Sequence, residues 1–286
     1  MINKTILNAY LKLMRLDKPI GILLLLWPTL IALWIAGNGQ PNWAIVTIFI
    51  LGTILMRSAG CVMNDLADSD FDGEVQRTKF RPLVTGEVSK KSALLLAITL
   101  SLMAFMLVLT LNKLTIQLSI VALLLAASYP FMKRYIAIPQ AYLGIAFGFG
   151  IPMAFAAIQN QIPMIAWWLM IANVFWAIAY DTEYAMVDRE DDLKINIHSS
   201  AITFGQYDVL AVMACYVVTI SLYSGVGVFL SLNAPYFVGL LMASMIAVYH
   251  YQLIKHRQKE QCFKAFLHNT WFGMVQFIGL LISYIA

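Results

Sequence analysis

Nine stretches of the chain are apolar over a length that reaches or approaches a bilayer crossing: roughly 20–36, 43–63, 91–111, 115–132, 138–158, 163–180, 208–231, 235–254 and 270–286. A spanning helix needs about 20 such residues. Inside lipid the backbone must satisfy its own hydrogen bonds, so stretches of this length are helices. A transmembrane barrel would show short segments of alternating polarity, and the chain has none of that pattern. The prediction is an all-α integral membrane bundle of nine transmembrane helices. It forms one unit over residues 1–286, with no soluble domain. The first run is short and follows basic residues, as a signal peptide does. Nothing after it reads as a soluble secreted domain, so it counts as the first span.

Composition agrees with this picture. The chain is 61% hydrophobic and 12% charged, with a mean hydropathy of +0.77; an ordinary soluble domain is about 25% charged. Charge then sets orientation. With the N-terminus in the cytoplasm, Lys113 alone among the 19 lysines and arginines falls outside, the positive-inside asymmetry in a clean form. All 15 acidic residues share the inner side, while the outer loops "LNKLT", "QNQIP" and "SLNAP" are nearly uncharged. The expectation is a multi-pass protein of the bacterial cell inner membrane whose chemistry faces the cytoplasm. Lys90, Lys91, Lys255 and Lys259 are read as charges that serve topology, and no nucleic-acid partner is expected. Cys61, Cys215 and Cys262 form neither a disulfide framework nor a zinc pattern. His198, His250, His256 and His268 have no ligand spacing and are expected at the surface or in loops.

Two acidic clusters stand out. The first follows the second apolar run as N-D-x-x-D-x-x-x-D: Asn64, Asp65, Asp68 and Asp72. The second, "YDTEYAMVDREDD", follows the sixth run and holds Asp181, Tyr184, Asp188 and Asp192. If each continues its helix, residues 3, 4 and 7 apart share a face. Asn64, Asp68 and Asp72 then line one stripe; Asp181, Asp188 and Asp192 line another. The spacing Arg57, Asn64, Asp68 repeats that of Asp181, Asp188, Asp192, which suggests two related halves. Aspartates this close need cations to stay ionised together. Hard divalent ions suit all-oxygen ligands, and Mg²⁺ takes one or two carboxylates plus substrate phosphates. Two facing stripes would hold such ions with a diphosphate between them.

Basic residues flank both stripes. Arg77, Lys79 and Arg81 follow the first cluster, and "YPFMKRY" places Tyr129, Lys133 and Arg134 at the end of the fourth run, with Tyr129 one turn from Lys133. Cations beside a carboxylate–metal site neutralise phosphate oxygens. Arg57 sits two turns before Asn64 on the same face, about 10 Å deeper at 1.5 Å per residue. A guanidinium there is costly without an anionic partner, and a substrate carboxylate would supply one.

In this order and on these helices, the motifs resemble the UbiA superfamily of membrane prenyltransferases. The stretches "RLDKPIGILLLLWPTL" (15–30), "MRSAGCVMNDLAD" (56–68), "RPLVTGEVS" (81–89), "YPFMKRY" (129–135), "IPMAFAA" (151–157) and "AYDTEYAMVDREDD" (179–192) are similar to its 4-hydroxybenzoate polyprenyltransferase branch. The resemblance implies Mg²⁺-dependent transfer of a polyprenyl chain from polyprenyl diphosphate to 4-hydroxybenzoate, within a cavity open to membrane lipid. It implies a metal–diphosphate shell of Asn64, Asp68, Asp181 and Asp188, with Asp65, Asp72 and Asp192 near it. Tyr129, Lys133 and Arg134 would act on the leaving group, while Arg15, Arg57, Arg81 and Tyr184 would contact substrate. Other aromatic acceptors, such as a naphthoate or homogentisate, fit the same motifs. A secondary transporter is the reading from another class, but its site should lie near the midplane with access from both sides. Prenyl length and oligomeric state are not legible.

Overall fold

The computed structural model describes residues 4–69, 73, 78–194 and 197–286, and among these there is no strand. The helices run α1 (Lys4–Leu13), α2 (Ile20–Ala36), α3 (Trp43–Asp68), α4 (Lys90–Val108), α5 (Lys113–Met132), α6 (Pro139–Gly148), α7 (Gly150–Gln159), α8 (Met164–Lys194), α9 (Ser200–Phe204), α10 (Asp208–Phe229), α11 (Ala234–Ile254) and α12 (Lys259–Ile285). Among the described residues, eight helical stretches have the length and apolarity of a membrane span, with α6 and α7 counted as one. The first expected span, α2, is shorter at 17 residues.

Several boundaries differ from the sequence expectation. The fifth apolar run is broken between Gly148 and Gly150 into α6 and α7. The ninth begins at Lys259 rather than near 270, because its first turns are polar yet still helical. α1, with apolar residues on one face only, falls outside the expected spans. Asn42, Ser89 and Asn112 start α3, α4 and α5 by accepting hydrogen bonds from the backbone N–H of Ala44, Ser92 and Thr115, which relieves donors that no helix can satisfy internally.

The two helices that carry the acidic clusters are long: 26 residues in α3 and 31 in α8. Both overrun the roughly 20 residues a span requires. The excess carries Asn64 and Asp68 on α3, and Asp181, Asp188 and Asp192 on α8, past the apolar core without breaking the helix.

One core joins the ends of α2, α7, α8, α10 and α12 far from the acidic clusters, around Leu33, Phe155, Leu169 and Tyr223. A second lies nearer the clusters, between α8, α10, α11 and α12, around Trp176, Tyr216 and Phe272. Trp176 is therefore a core residue, whereas Trp167 and Trp168 are exposed. α11 and α12 approach most closely at Gly239 and Gly279, where a Cβ on Gly239 would lie 2.7 Å from the Val275 carbonyl oxygen. Small residues permit such contact between membrane helices. A third, small core packs Ala9 and Leu13 of α1 against Val62 of α3, Leu83, Val88, and Ala93 and Ala97 of α4. It holds the segment around Leu83 and Val88 against α1, α3 and α4, next to Arg81 and Pro82 in the cavity lining.

α4 and α5 are mostly exposed and form a thin wall. Between this wall and the rest of the bundle lies a cavity of about 1280 Å³.

Candidate active site

The cavity has a charged end and an apolar end. Its deep part is lined by side chains such as Phe49, Met56, Phe105, Phe149 and Met153. At the charged end, α3 contributes Asn64, Asp65 and Asp68, and α8 contributes Asp181, Tyr184 and Asp192. Arg15, Arg81 and Lys133 complete that end, while Arg57 and Tyr129 lie in the wall further in. The tertiary fold thus brings most of the predicted residues to one place. Asp188, half-buried, and Arg134, exposed, lie outside the cavity lining. Asp72 lies outside the described residues, as does Arg77.

Each carboxylate of α3 meets a different set of cations. Asp65 is buried and accepts from Arg15 Nη2 at 2.9 and 3.2 Å; Arg81 Nη1 lies 3.0 Å from its Oδ1. Asp68 Oδ2 accepts from Lys133 Nζ at 2.5 Å and from Asn64 Nδ2 at 3.2 Å. Lys133 is thus oriented by Asp68, whereas one-turn spacing had suggested Tyr129. Tyr129 instead packs near Phe147, with ring centroids 6.1 Å apart. Arg134 Nη2 donates to the Ala67 carbonyl at 3.0 Å and so ties α5 to the end of α3.

Asp68 Oδ1 is buried and has no hydrogen-bond partner. A buried acceptor of this kind costs about 1–3 kcal/mol unless something occupies it, and a hard cation is a suitable occupant. Among the described residues no three His, Cys, Asp or Glu side chains close into a ligand set by themselves. The arrangement therefore fits a metal bound through few protein ligands, with substrate oxygens completing the shell.

Arg57 has no acidic partner on its own helix. Its Nη1 contacts Cys61 Sγ, its Cζ lies 5.5 Å from the centre of the Phe147 ring, and its Nε is buried without a partner. Gly21 of α2 makes room for it, since a Cβ there would come 2.4 Å from Nε.

Behind α8, facing away from the cavity, lies a polar network that sequence reasoning missed. Glu183 is fully buried and accepts from Tyr216 OH at 2.9 Å and from Asn269 Nδ2 at 2.7 Å. Trp176 Nε1 donates to Asn269 Oδ1 at 2.9 Å, and Tyr216 OH lies 2.8 Å from His250 Nδ1. His250 is fully buried, contrary to the surface or loop role expected of it. The missed signal was Glu183 within an acidic run: it lies two residues from Asp181 and so on another face of α8. Nearby, the buried Asp208 accepts from Arg189 Nη1 at 3.1 Å and from Arg257 Nη2 at 2.6 Å, clasping α8, α10 and the α11–α12 turn. Hydrogen bonding to Asp208 raises Arg257 above the ordinary guanidinium range.

Fold and site together define a membrane-embedded helical enzyme whose cavity suits a charged head group on an apolar chain. The chain belongs to the UbiA prenyltransferase family, whose sequence profile matches residues 25–274. It is 64% identical over 277 residues to a 4-hydroxybenzoate octaprenyltransferase of Methylobacillus flagellatus, covering 97% of this chain and 94% of the relative. It is 61% identical to the protein of that name from Aromatoleum aromaticum, covering 98% and 95%. In fold it resembles an apo UbiA homolog from Aeropyrum pernix K1, with a TM-score of 0.79 at 22% identity over 91% of this chain and 97% of that one. It also resembles a UbiA homolog from Archaeoglobus fulgidus bound to GPP and Mg²⁺, with a TM-score of 0.72 at 18% identity over 97% and 99%.

Proposed function

We propose that this protein transfers a polyprenyl group from polyprenyl diphosphate to the ring carbon ortho to the hydroxyl of 4-hydroxybenzoate, releasing diphosphate, as a step of ubiquinone biosynthesis. The observation that carries the reading is the two-ended cavity: carboxylates and cations of α3, α5 and α8 at one end, an apolar chamber behind them. The names of the relatives support the acceptor.

The allylic C–O bond breaks, leaving a carbocation and diphosphate. Lys133, Arg15 and Arg81 stabilise the charge that builds on the leaving oxygens. Asn64 and Asp68 of α3, with Asp181, Asp188 and Asp192 of α8, would hold Mg²⁺. When bound, Mg²⁺ neutralises diphosphate oxygens and lowers the cost of their departure. The apolar chamber excludes water, so the cation meets the arene first. Arg57 binds the acceptor carboxylate through parallel hydrogen bonds, turning the phenol end of the ring toward the ionising carbon. The attacked ring carbon then loses its proton and aromaticity returns.

The same reading has nine spans, a cytoplasmic N-terminus and a cytoplasmic site, supported by Lys113 being the only basic residue outside. Reporter fusions after Lys133 and Lys259 should read cytoplasmic, and one at Ala286 periplasmic. For function, membranes containing the protein should convert 4-hydroxybenzoate, a polyprenyl diphosphate and Mg²⁺ to a prenylated product identified by mass, with stoichiometric pyrophosphate and full loss in EDTA. Substrate movement without pyrophosphate release would establish a transporter instead.

A further inference from the structure

Asp65 and Asp68 lie one turn apart on α3, and both line the charged end of the cavity. Their oxygens are in opposite situations. Asp68 keeps one buried oxygen without a partner. Both oxygens of Asp65 are engaged: Arg15 Nη2 spans them at 2.9 and 3.2 Å, and Arg81 Nη1 lies 3.0 Å from Oδ1. The Asp65 side chain is 1% exposed, against 28% for Arg15 and 14% for Arg81. A Mg²⁺ ion at Asp65 would have to displace two guanidinium groups from a buried carboxylate, leaving three cations with four positive charges around one negative.

The backbone beneath both arginines is built for this arrangement. Arg15, in the turn after α1, is in the left-handed region at φ 56°, which costs a non-glycine residue about 1–2 kcal/mol. Its Nη1 also donates to the Lys12 carbonyl at 3.2 Å. Arg81 sits in a turn, its N–H donating to the Thr78 carbonyl at 2.9 Å. The same small core, with Leu13 two residues before Arg15 and Leu83 two residues after Arg81, anchors both segments against Val62 of α3. Two guanidinium groups side by side repel each other, and a carboxylate between them removes that repulsion while fixing their planes. The trio keeps a net positive charge, and each guanidinium has five N–H donors, more than Asp65 can occupy.

We propose that Asp65 is a positioning residue and no metal ligand: it holds Arg15 and Arg81 as a paired receptor for the diphosphate of the prenyl donor. This rests on the prenyl-transfer reading and divides the N-D-x-x-D motif by task. Asp68 faces the metal, and Asp65 aims the arginines. Preorganised cations give up little freedom when the anion arrives, so they serve both donor binding and charge development.

The test compares wild type with Asp65→Asn in the full-length, detergent-purified protein, in variants that elute as a single species. Two quantities are read. One is binding of inorganic pyrophosphate in EDTA, which reports the arginine receptor without metal or turnover. The other is steady-state kinetics with prenyl donor and Mg²⁺ varied separately. Charge-assisted hydrogen bonds are worth about 1.5–3 kcal/mol, so Asp65→Asn should weaken metal-free pyrophosphate binding and raise the donor KM by about tenfold or more. The Mg²⁺ concentration for half-maximal rate should stay within about twofold, because no ligand is lost. Asp65→Glu should recover part of the loss. In an Arg15→Ala, Arg81→Ala background, Asp65→Asn should have little further effect on pyrophosphate binding. A large rise in the Mg²⁺ requirement with an unchanged donor KM would overturn the proposal, as would an undiminished effect in the background lacking both arginines. Failure of the wild type to prenylate 4-hydroxybenzoate would sink the functional reading alone, since the pyrophosphate comparison needs no acceptor.

Discussion

The two acidic stripes share a spacing but are held in different ways. On α3 the carboxylates are held from the cavity side, by the cations that would also meet substrate: Arg15 and Arg81 at Asp65, Lys133 at Asp68. On α8 the stripe is backed from the far side, by Glu183 and its partners Tyr216 and Asn269, and by the Asp208 clasp at Arg189. The first arrangement places its cations where an entering anion can meet them. In the second, Glu183, Tyr216, Asn269 and Asp208 are buried in the bundle and line no part of the cavity. Residues that touch the diphosphate should therefore change kinetics, and residues behind α8 should change stability.

The largest effect tests whether both stripes share the chemistry. Asp68→Ala and Asp188→Ala should each lower turnover by on the order of a thousandfold, as loss of a main charge-stabilising group does, with the protein still inserted. Pyrophosphate release is the measurement. Near-normal release in Asp188→Ala, whose residue lies outside the cavity lining, would restrict the chemistry to α3.

Next comes the deep extension of the first stripe. Arg57→Ala should raise the KM for 4-hydroxybenzoate by about ten- to a hundredfold, the worth of a charge-assisted pair, with the donor KM little changed. Arg57→Lys should rescue only partly, since an ammonium cannot match the planar fork. Gly21→Ala should produce a milder version of the same defect by pushing the guanidinium aside. An unchanged acceptor KM in Arg57→Ala would leave the arginine as a packing group.

The smallest kinetic effect and the clearest thermal one belong behind α8. Asn269→Ala leaves Glu183 and Trp176 each short of a partner, at about 1–3 kcal/mol per buried group. At roughly 2–4 °C per kcal/mol, the two groups together should lower the Tm by about 4–24 °C while the donor KM stays near wild type. Lys133→Ala should behave the opposite way. If Asn269→Ala alters the donor KM as much as Lys133→Ala does, the division between the two stripes fails.

Much of the fold was legible because its signals are local. Runs such as 43–63 and 235–254 report their helices directly, since lipid leaves the backbone no other choice. The stripes of Asn64 with Asp68, and of Asp181 with Asp188, followed from helical spacing alone. Less legible were features whose cause lies elsewhere in the chain. The amphipathic α1 is too short to read as a span, and the break between α6 and α7 occurs within a continuous apolar run. His250 lies in the last turns of an apolar run, just before the polar stretch "KHRQKEQ", and meets Tyr216, 34 residues away, inside the bundle.

The sequence by itself determined that this is a helical membrane protein with two acidic helical stripes among cations, because length, hydropathy and spacing act within one helix. Only the tertiary structure decided which carboxylate does what. Asp65 and Asp68 are the same residue type one turn apart, and their difference comes from what packs against them. α1 and the turn at Arg81, fastened by a small apolar core, bring two arginines to Asp65, while α5 brings Lys133 to Asp68 and leaves one of its oxygens open. The partners lie 16 to 65 residues from their aspartates in the chain, and a charge pair is decided by distance in space, which no local pattern encodes.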